Sequence, residues 1–287
     1  MAHESGKKYV VGIGEALWDM LPDGKKLGGA PANFAYHVSQ FGFPTCVASA
    51  IGRDVLGTEL TAEFKARDIN ALLPLTDYPT GTVSVELDAL GIPAYDITRD
   101  VAWDHIPFTD SLRELAADTQ AVSFGSLAQR NATSRDTIYH FLDSMPDTPD
   151  TYKIFDINLR QDFYSPEIIH QSISRCNILK INDEELVEIT RLFNLPGSDI
   201  KDICIGLLHR YQLSILILTC GVNGSYVFTP DEISFMETPR ITVADTVGAG
   251  DSFTATFTAS LLAGKPIAEA HRLAVDVSAF VCTQAGA

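Results

Sequence analysis

The chain has 287 residues, 46% of them hydrophobic and 20% charged, enough apolar material for one sizeable domain or two. A formal net charge of −16 leaves no basic stripe to displace counterions, so nucleic acid is excluded as a partner. The same acidity is compatible with a soluble protein that needs a metal cation to host a polyanion.

The opening MAHESGKKYVVGIG runs straight into a strand-like stretch at 9–14, broken by Gly12, Gly14 and Glu15. It reads as neither a signal peptide nor a membrane span, and LSILIL at 213–218 is only strand-sized, so no membrane association is expected. GIGEAL superficially matches a dinucleotide loop, but the third glycine is missing and Glu15 would repel a pyrophosphate. Just past the strand stands Asp19, followed by KLGGAPANFAYHVSQFG at 26–42. Gly28 and Gly29 let another molecule approach the backbone closely, and Pro31 suits the first turn of a helix over 31–41. Asn33 sits in that turn with an amide that both donates and accepts. Asp19 and Asn33 together can bridge vicinal hydroxyls, in the strand-end loops where α/β sheets bind ligands.

A strand at 45–52 and a helix at 57–67 lead to GTVSVELDALGIPAYDIT at 81–98, which alternates polar and apolar residues and turns at Gly91–Pro93. This predicts a two-stranded ribbon inserted between α/β units, with Val83, Val85 and Leu87 on one face. A lone hairpin is marginal in water, so it should pack on the segment 15–30, on a substrate or on another subunit. A helix at 110–117, a strand at 121–126, a helix at 134–144 and a strand at 152–158 follow. The last runs into DINLRQDFYS, where Arg160 either clamps a phosphate or substrate oxygen or pairs with Asp162.

After a strand at 176–182, Asn182 and Glu185 stand one helical turn apart at the start of a helix over 183–193. That pair can hold a hydrated Mg²⁺, or form a capping box, or both. A helix at 199–210 and the most apolar strand, 214–221, end in LTCGVNGS, a turn through Gly221 and Gly224. Near the end lies VADTVGAGDSFTATF at 243–257, with helices expected over 251–263 and 267–284. Asp251 is there either a simple helix cap or the carboxylate beside an anion site of bare backbone N–H groups. Strands alternating with helices imply crossover units and a mostly parallel sheet covered on both faces. The five cysteines, Cys46, Cys176, Cys204, Cys220 and Cys282, are scattered and contain no C-x-x-C pair. That pattern suits reduced thiols and a cytoplasmic protein.

Taken together, GGAPANFA (28–35) and DTVGAGDSF (245–253) resemble the two signature regions of the ribokinase-like, or PfkB, family of carbohydrate kinases. The ribbon at 81–98, the N-x-x-E pair at 182–185 and the T-x-G-x-x-G turn at 219–224 fall in family order, and GEALWDMLP, VAWDHI and DINLR look most like the fructokinase branch. The resemblance implies one three-layer α/β/α domain over 1–287, with a small β-lid formed by about 15–30 and 81–103 that closes over a sugar. It implies ATP-dependent phosphorylation of a sugar hydroxyl, with D-fructose favoured. Asp251 would be the general base, and the backbone of Gly248, Ala249 and Gly250 the anion hole, where the helix dipole favours ionised Asp251.

By the same resemblance, Asp19, Gly28, Gly29, Asn33, Tyr95 and Arg160 would line the sugar or phosphate path. Asn182, Thr219, Gly221 and Gly224 would approach ATP, Glu185 would organise Mg²⁺ through water, and Asp245 could contribute to a K⁺ site. Ile157 and Tyr164 stand where fructokinases usually carry proline and tryptophan, and family members usually run a short segment beyond CTQAGA, so no adenine contact is assigned. Ribokinase, ketodeoxygluconate kinase and nucleoside kinase are the alternatives within the fold, the last with Tyr95 and Trp103 lining a base pocket. A sugar sensor without catalysis is the alternative outside it. The exposed ribbon invites a homodimer through the lid.

Overall fold

The computed structural model describes residues 8–21, 24–87, 93–197 and 199–284. The chain opens with β1 (Tyr9–Ile13), turns through β2 (Leu17–Leu21) and β3 (Gly24–Gly28), and returns as α1 (Ala30–Ser39) to β4 (Thr45–Ala48). Then come β5 (Ile51–Gly52), α2 (Val55–Ala66), β6 (Asn70–Leu72), β7 (Leu75–Thr76), β8 (Gly81–Leu87) and β9 (Pro93–Ile97). A regular alternation follows: α3 (Asp110–Ala117), β10 (Thr119–Phe124), α4 (Ala132–Ser144), β11 (Tyr152–Asp156), α5 (Pro166–Ile173), β12 (Ile178–Asn182), α6 (Asp183–Phe193), α7 (Ile200–Arg210) and β13 (Ile215–Thr219). The short strands β14 (Ser225–Phe228) and β15 (Ile233–Met236) precede α8 (Ala249–Leu262) and α9 (Ile267–Cys282).

The central sheet has the order β15-β14-β13-β12-β11-β10-β1-β4-β6. From β6 to β13 every neighbouring pair is parallel, and only β14 and β15 run antiparallel. Successive residues of the inner strands face opposite layers. Val11, Phe124, Phe155, Leu179 and Leu216 meet Leu112, Phe141, Ile169, Ile189 and Leu207 of α3 to α7. Val10, Ala121, Ile154, Ile178 and Ile217 meet Phe34 of α1, Phe253 and Phe257 of α8, and Ala274 of α9. Each fully buried Phe or Leu is worth roughly 1.5–3 kcal/mol, so the sheet is the rigid body that carries the strand-end loops. This is a three-layer, ribokinase-like α/β/α fold.

A second sheet, ordered β3-β2-β8-β9, sits beside it. β8 pairs in parallel with β2, which places the ribbon on the early segment. Trp18, Val83 and Ile97 are buried in this sheet, and the Trp18 indole donates to the Leu56 carbonyl at 3.0 Å, tying it to α2.

Several elements differ from expectation. The strand expected over 45–52 divides into β4 and β5, and the helix expected from Asp251 already begins at Ala249. The helix α5 was not anticipated; it starts at a Ser165 cap, whose hydroxyl accepts from the Ile168 amide, with proline at its first position. Nor were β14 and β15, each of four residues, too short for alternation to register against the flanking turns. Among the described residues no helix is long and apolar enough to cross a membrane.

Candidate active site

The carboxyl ends of the parallel strands bring the singled-out residues together. Strand register sets Asp156 of β11 beside Lys180 of β12, and Asn182 beside Thr219 of β13. Over these ends stands the start of α8. Its cap Gly248 adopts φ 74°, a left-handed turn that glycine makes without strain, and the amides of the first turn that follow have no intrahelical acceptor. The preceding loop is tied to the end of α9 and braced by a local turn. The Ala244 amide donates to Cys282 O at 2.8 Å, and Asp245 Oδ1 accepts from the Val247 amide at 3.0 Å.

From the other side, α1 delivers Asn33. Its Nδ2 donates to Asp251 Oδ2 at 2.8 Å, joining two residues 218 positions apart. Beside them lies a cleft lined by Ala30, Pro31, Ser123, Gly125, Asp156, Asn158, Asp251 and Thr254. A Cβ on Gly28 would stand 2.3 Å from Asp19 Oδ2, and one on Gly29 2.3 Å from the Glu15 carbonyl. Glycine at 28 is thus what lets Asp19 fold back from β2 toward the start of α1.

Burial sets the electrostatics. Asp251 is pushed up to about 6, chiefly by desolvation and then by the Asp156 carboxylate, while Asn33, Lys180 and Arg160 pull the other way. The helix dipole therefore does not dominate, contrary to the expectation from the loop alone. Glu15, 3% exposed, is pushed up to about 7 by burial and by Asp251, and its Oε2 has no hydrogen-bond partner. Burial also raises Asp19. Lys180 and Asp156 form a buried ion pair at 3.0 Å, with both side chains 8% exposed, and Thr254 Oγ1 donates to Asp156 Oδ2 at 3.3 Å.

The remaining expectations divide. Arg160 is exposed and its Nη1 donates to Leu159 O at 3.0 Å, while Asp162 pairs with Arg99 at 3.2 Å instead of with Arg160. Both halves of the capping box at Asn182 and Glu185 are formed. Glu185 Oε2 accepts from the Asn182 amide and Oε1 from the Leu159 amide, each at 2.9 Å. Each oxygen keeps a second lone pair, which fits a contact to a metal through its water rather than direct ligation. Among the described residues no three His, Cys, Asp or Glu side chains converge as a metal cage.

Gly221, with φ 53°, has open space where a side chain would stand, whereas a Cβ on Gly224 would meet Met236 O at 2.5 Å. Tyr95 is on β9 opposite Val85, and its side chain lies outside the described residues. Trp103 is fully buried, with the Arg130 guanidinium 4.1 Å from its ring, so it lines no pocket for a base.

A larger cavity, about 290 Å³, lies away from Asp251, lined by Arg99, Asp100, Asp104, Arg130, Asp162 and Tyr164 among others. Its acids are already paired: Asp104 with Arg130, Asp162 with Arg99 and Asp100 with His105. The cleft at Asp251 is the chemically better site, because it holds, in the first turn of α8, a desolvated carboxylate oriented by Asn33. Sequence reasoning passed over Lys180 and gave Glu15 no role there. The available signal was a lone charge in an apolar run: lysine in ILKIN, and glutamate in VVGIGEAL.

A family model described as the pfkB family carbohydrate kinase matches residues 23–287. The chain belongs to this family. Relatives of this pfkB kinase include an ATP-dependent 6-phosphofructokinase of Thermoanaerobacterium thermosaccharolyticum, 27% identical over 98% of this chain and 90% of the other. A fructokinase of Klebsiella pneumoniae is 29% identical over 90% of this chain and 85% of the other. Among solved structures, an uncharacterized sugar kinase of Pyrococcus horikoshii superposes with a TM-score of 0.82 at 24% identity, covering 97% and 93% of the two chains. A Vibrio cholerae fructokinase bound to fructose, ADP and calcium does so with 0.79 at 22%, covering 99% and 95%.

Proposed function

We propose that this carbohydrate kinase transfers the γ-phosphoryl group of ATP to a primary hydroxyl of an unphosphorylated hexose, D-fructose first among them. The observation that carries the reading is the 2.8 Å bond from Asn33 to Asp251 at the start of α8, which aims one carboxylate oxygen and leaves the other to take a proton. Asp251 is the general base. At about 6 it is largely ionised at neutral pH, yet basic enough to remove a hydroxyl proton as the phosphorus–oxygen bond forms. The amides at Gly248, Ala249 and Gly250 meet the equatorial oxygens of the transferred group, where charge accumulates.

Asp19, Gly28, Gly29, Asn33 and Arg160 border the sugar, together with Tyr95 of the lid. With Asp156 already paired to Lys180, Asp251 and the nearby Glu15 leave no buried cation free among the described residues of this cleft to receive a second anion, which favours a neutral polyol over a sugar phosphate or sugar acid. The nucleotide reading places Asn182, Thr219, Gly221 and Gly224 along the ATP phosphates. Mg²⁺, when bound, neutralises charge on the β- and γ-phosphates. Glu185 holds one of its waters, and Asp245 is the candidate for a K⁺ contact, which replacing K⁺ by Na⁺ in the assay tests. The fructokinase relative and the fructose- and ADP-bound neighbour support the choice of sugar and nucleotide.

The test is ADP release from Mg-ATP with fructose, ribose, ketodeoxygluconate, glucose, adenosine and fructose 6-phosphate, alongside Asp251→Asn. Turnover on fructose that falls by about a hundredfold or more in the variant is expected. Turnover confined to another acceptor would replace the substrate, and unchanged Asp251→Asn activity would remove the base.

A further inference from the structure

Lys180 is the only charged residue of the strand ILKIN, and its side chain is 8% exposed. A buried ammonium survives only with a close partner, and Asp156 Oδ1 stands 3.0 Å away. That pair does not lie in the general core. The other Asp156 oxygen accepts from Thr254, three residues after Asp251 on α8, and a Cβ on Gly250 would come within 3.2 Å of Lys180 Nζ. The ammonium thus touches the underside of the small-residue loop itself. The acids whose charge it feels are Asp156, Glu185 and Asp251. Asp251 in turn feels Asp156, Lys180, Arg160 and, from the β1 end, Glu15. Of the two cations, Arg160 is exposed to solvent, which screens it.

Without the ammonium, Asp156 and Asp251 would be two acids sharing one low-dielectric site, and one of them would hold a proton. We propose that Lys180 is a positioning residue of phosphoryl transfer: fixed by Asp156 beneath Gly250, its ammonium keeps Asp251 ionised and sets permanent positive charge behind the loop amides. The inference rests on the reading of Asp251 as the base. It adds a residue that acts through the base and the loop without touching the sugar. An arginine at 180 would carry the charge but not the compact shape, whereas methionine would keep the volume and lose the charge.

The experiment compares Lys180→Met, Lys180→Arg and the double variant Asp156→Asn/Lys180→Met with the parent and Asp251→Asn. It reads kcat, both KM values and the acidic limb of kcat/KM against pH. Lys180→Met is expected to lose about tenfold to a hundredfold in kcat, with both KM values within about threefold of the parent. Its acidic limb should move up by about one pH unit or more, because the base protonates more readily. Lys180→Arg should recover much of kcat, and the double variant should bring the limb back toward the parent.

A purely structural pair would lower thermal stability without moving the limb, and that result overturns the inference, as does a change confined to KM. If Lys180→Met does not fold, kcat of the double variant decides: lacking the ammonium behind the loop amides it should still fall about tenfold or more, and a parental kcat there removes the role. Should Asp251→Asn keep full turnover, the base assignment fails. Should only Asp251→Asn lose turnover, the Lys180 inference fails alone.

Discussion

Asn33 is the residue whose removal reads most directly. Its amide is aimed at Asp251, the proposed base, by the first turn of α1, and a hydrogen bond to a charged group is worth about 1.5–3 kcal/mol. Asn33→Ala should therefore lower kcat by about tenfold to a hundredfold and also lower the melting temperature by a few degrees, since it leaves a desolvated Asp251 oxygen without its donor. Equal turnover in parent and variant would show that Asp251 needs no orienting partner. Glu15 makes a different prediction. Its carboxyl rises from 4.5 to about 7 on folding, so the stability it contributes is fully present below about pH 4.5 and is lost as pH rises through about 7. Asp251, raised to about 6, has the same sign. Glu15→Gln should thus match the parent in urea titrations at pH 5 and exceed it by a few kcal/mol at pH 8. A difference independent of pH would mean that Glu15 is ionised throughout.

These residues were unequally legible. Asn33 and Asp251 stand in loops whose glycines and small side chains announce a close approach, so each could be marked even though nothing local says that they touch. Lys180 sits inside a strand whose pattern speaks only of burial. Its meaning comes from Asp156 on the neighbouring strand and Gly250 on a distant helix, and no periodicity carries register between strands.

For single elements, the lesson concerns what a short sequence can do twice. The capping box of α6 is complete, with Asn182 and Glu185 each accepting from the other's amide, and the same Glu185 reaches across to the Leu159 amide. A helix start therefore also pins the loop that leads to Arg160. Asn182→Ala should cost about 1 kcal/mol of stability in urea unfolding, the usual loss for an N-cap. On the proposed placing of ATP it should also raise the KM for ATP more than that for the sugar, because Asn182 adjoins Thr219, the other residue proposed to approach the nucleotide. A KM for ATP equal to the parent's would confine Asn182 to capping. The strands β1, β10, β11, β12 and β13 were plain in the sequence because both of their faces are buried, whereas β14 and β15 have four residues each between turns, too brief for a pattern to stand out.

Across the whole molecule, the second sheet is the open question, because a four-stranded sheet with β3 and β9 at its edges is covered on one side only in part. Trp18 on one face and Val83 and Ile97 on the other are buried, while Met20 on β2 is 38% exposed and Lys26 and Asp96 are exposed to solvent. Main-chain groups along an unpaired edge are a ready template for a second copy of the same edge. On the proposal that this sheet is a lid over the sugar, a second copy paired to its edge would help to hold it ordered while open. The expected state is a homodimer joined through the lids. Light scattering after size exclusion at micromolar concentration should give twice the chain mass, and Met20→Glu should shift the protein toward monomer and raise the KM for sugar. A monomer at every concentration would mean that Trp18, held by its bond to Leu56 of α2, is enough to keep the lid folded alone.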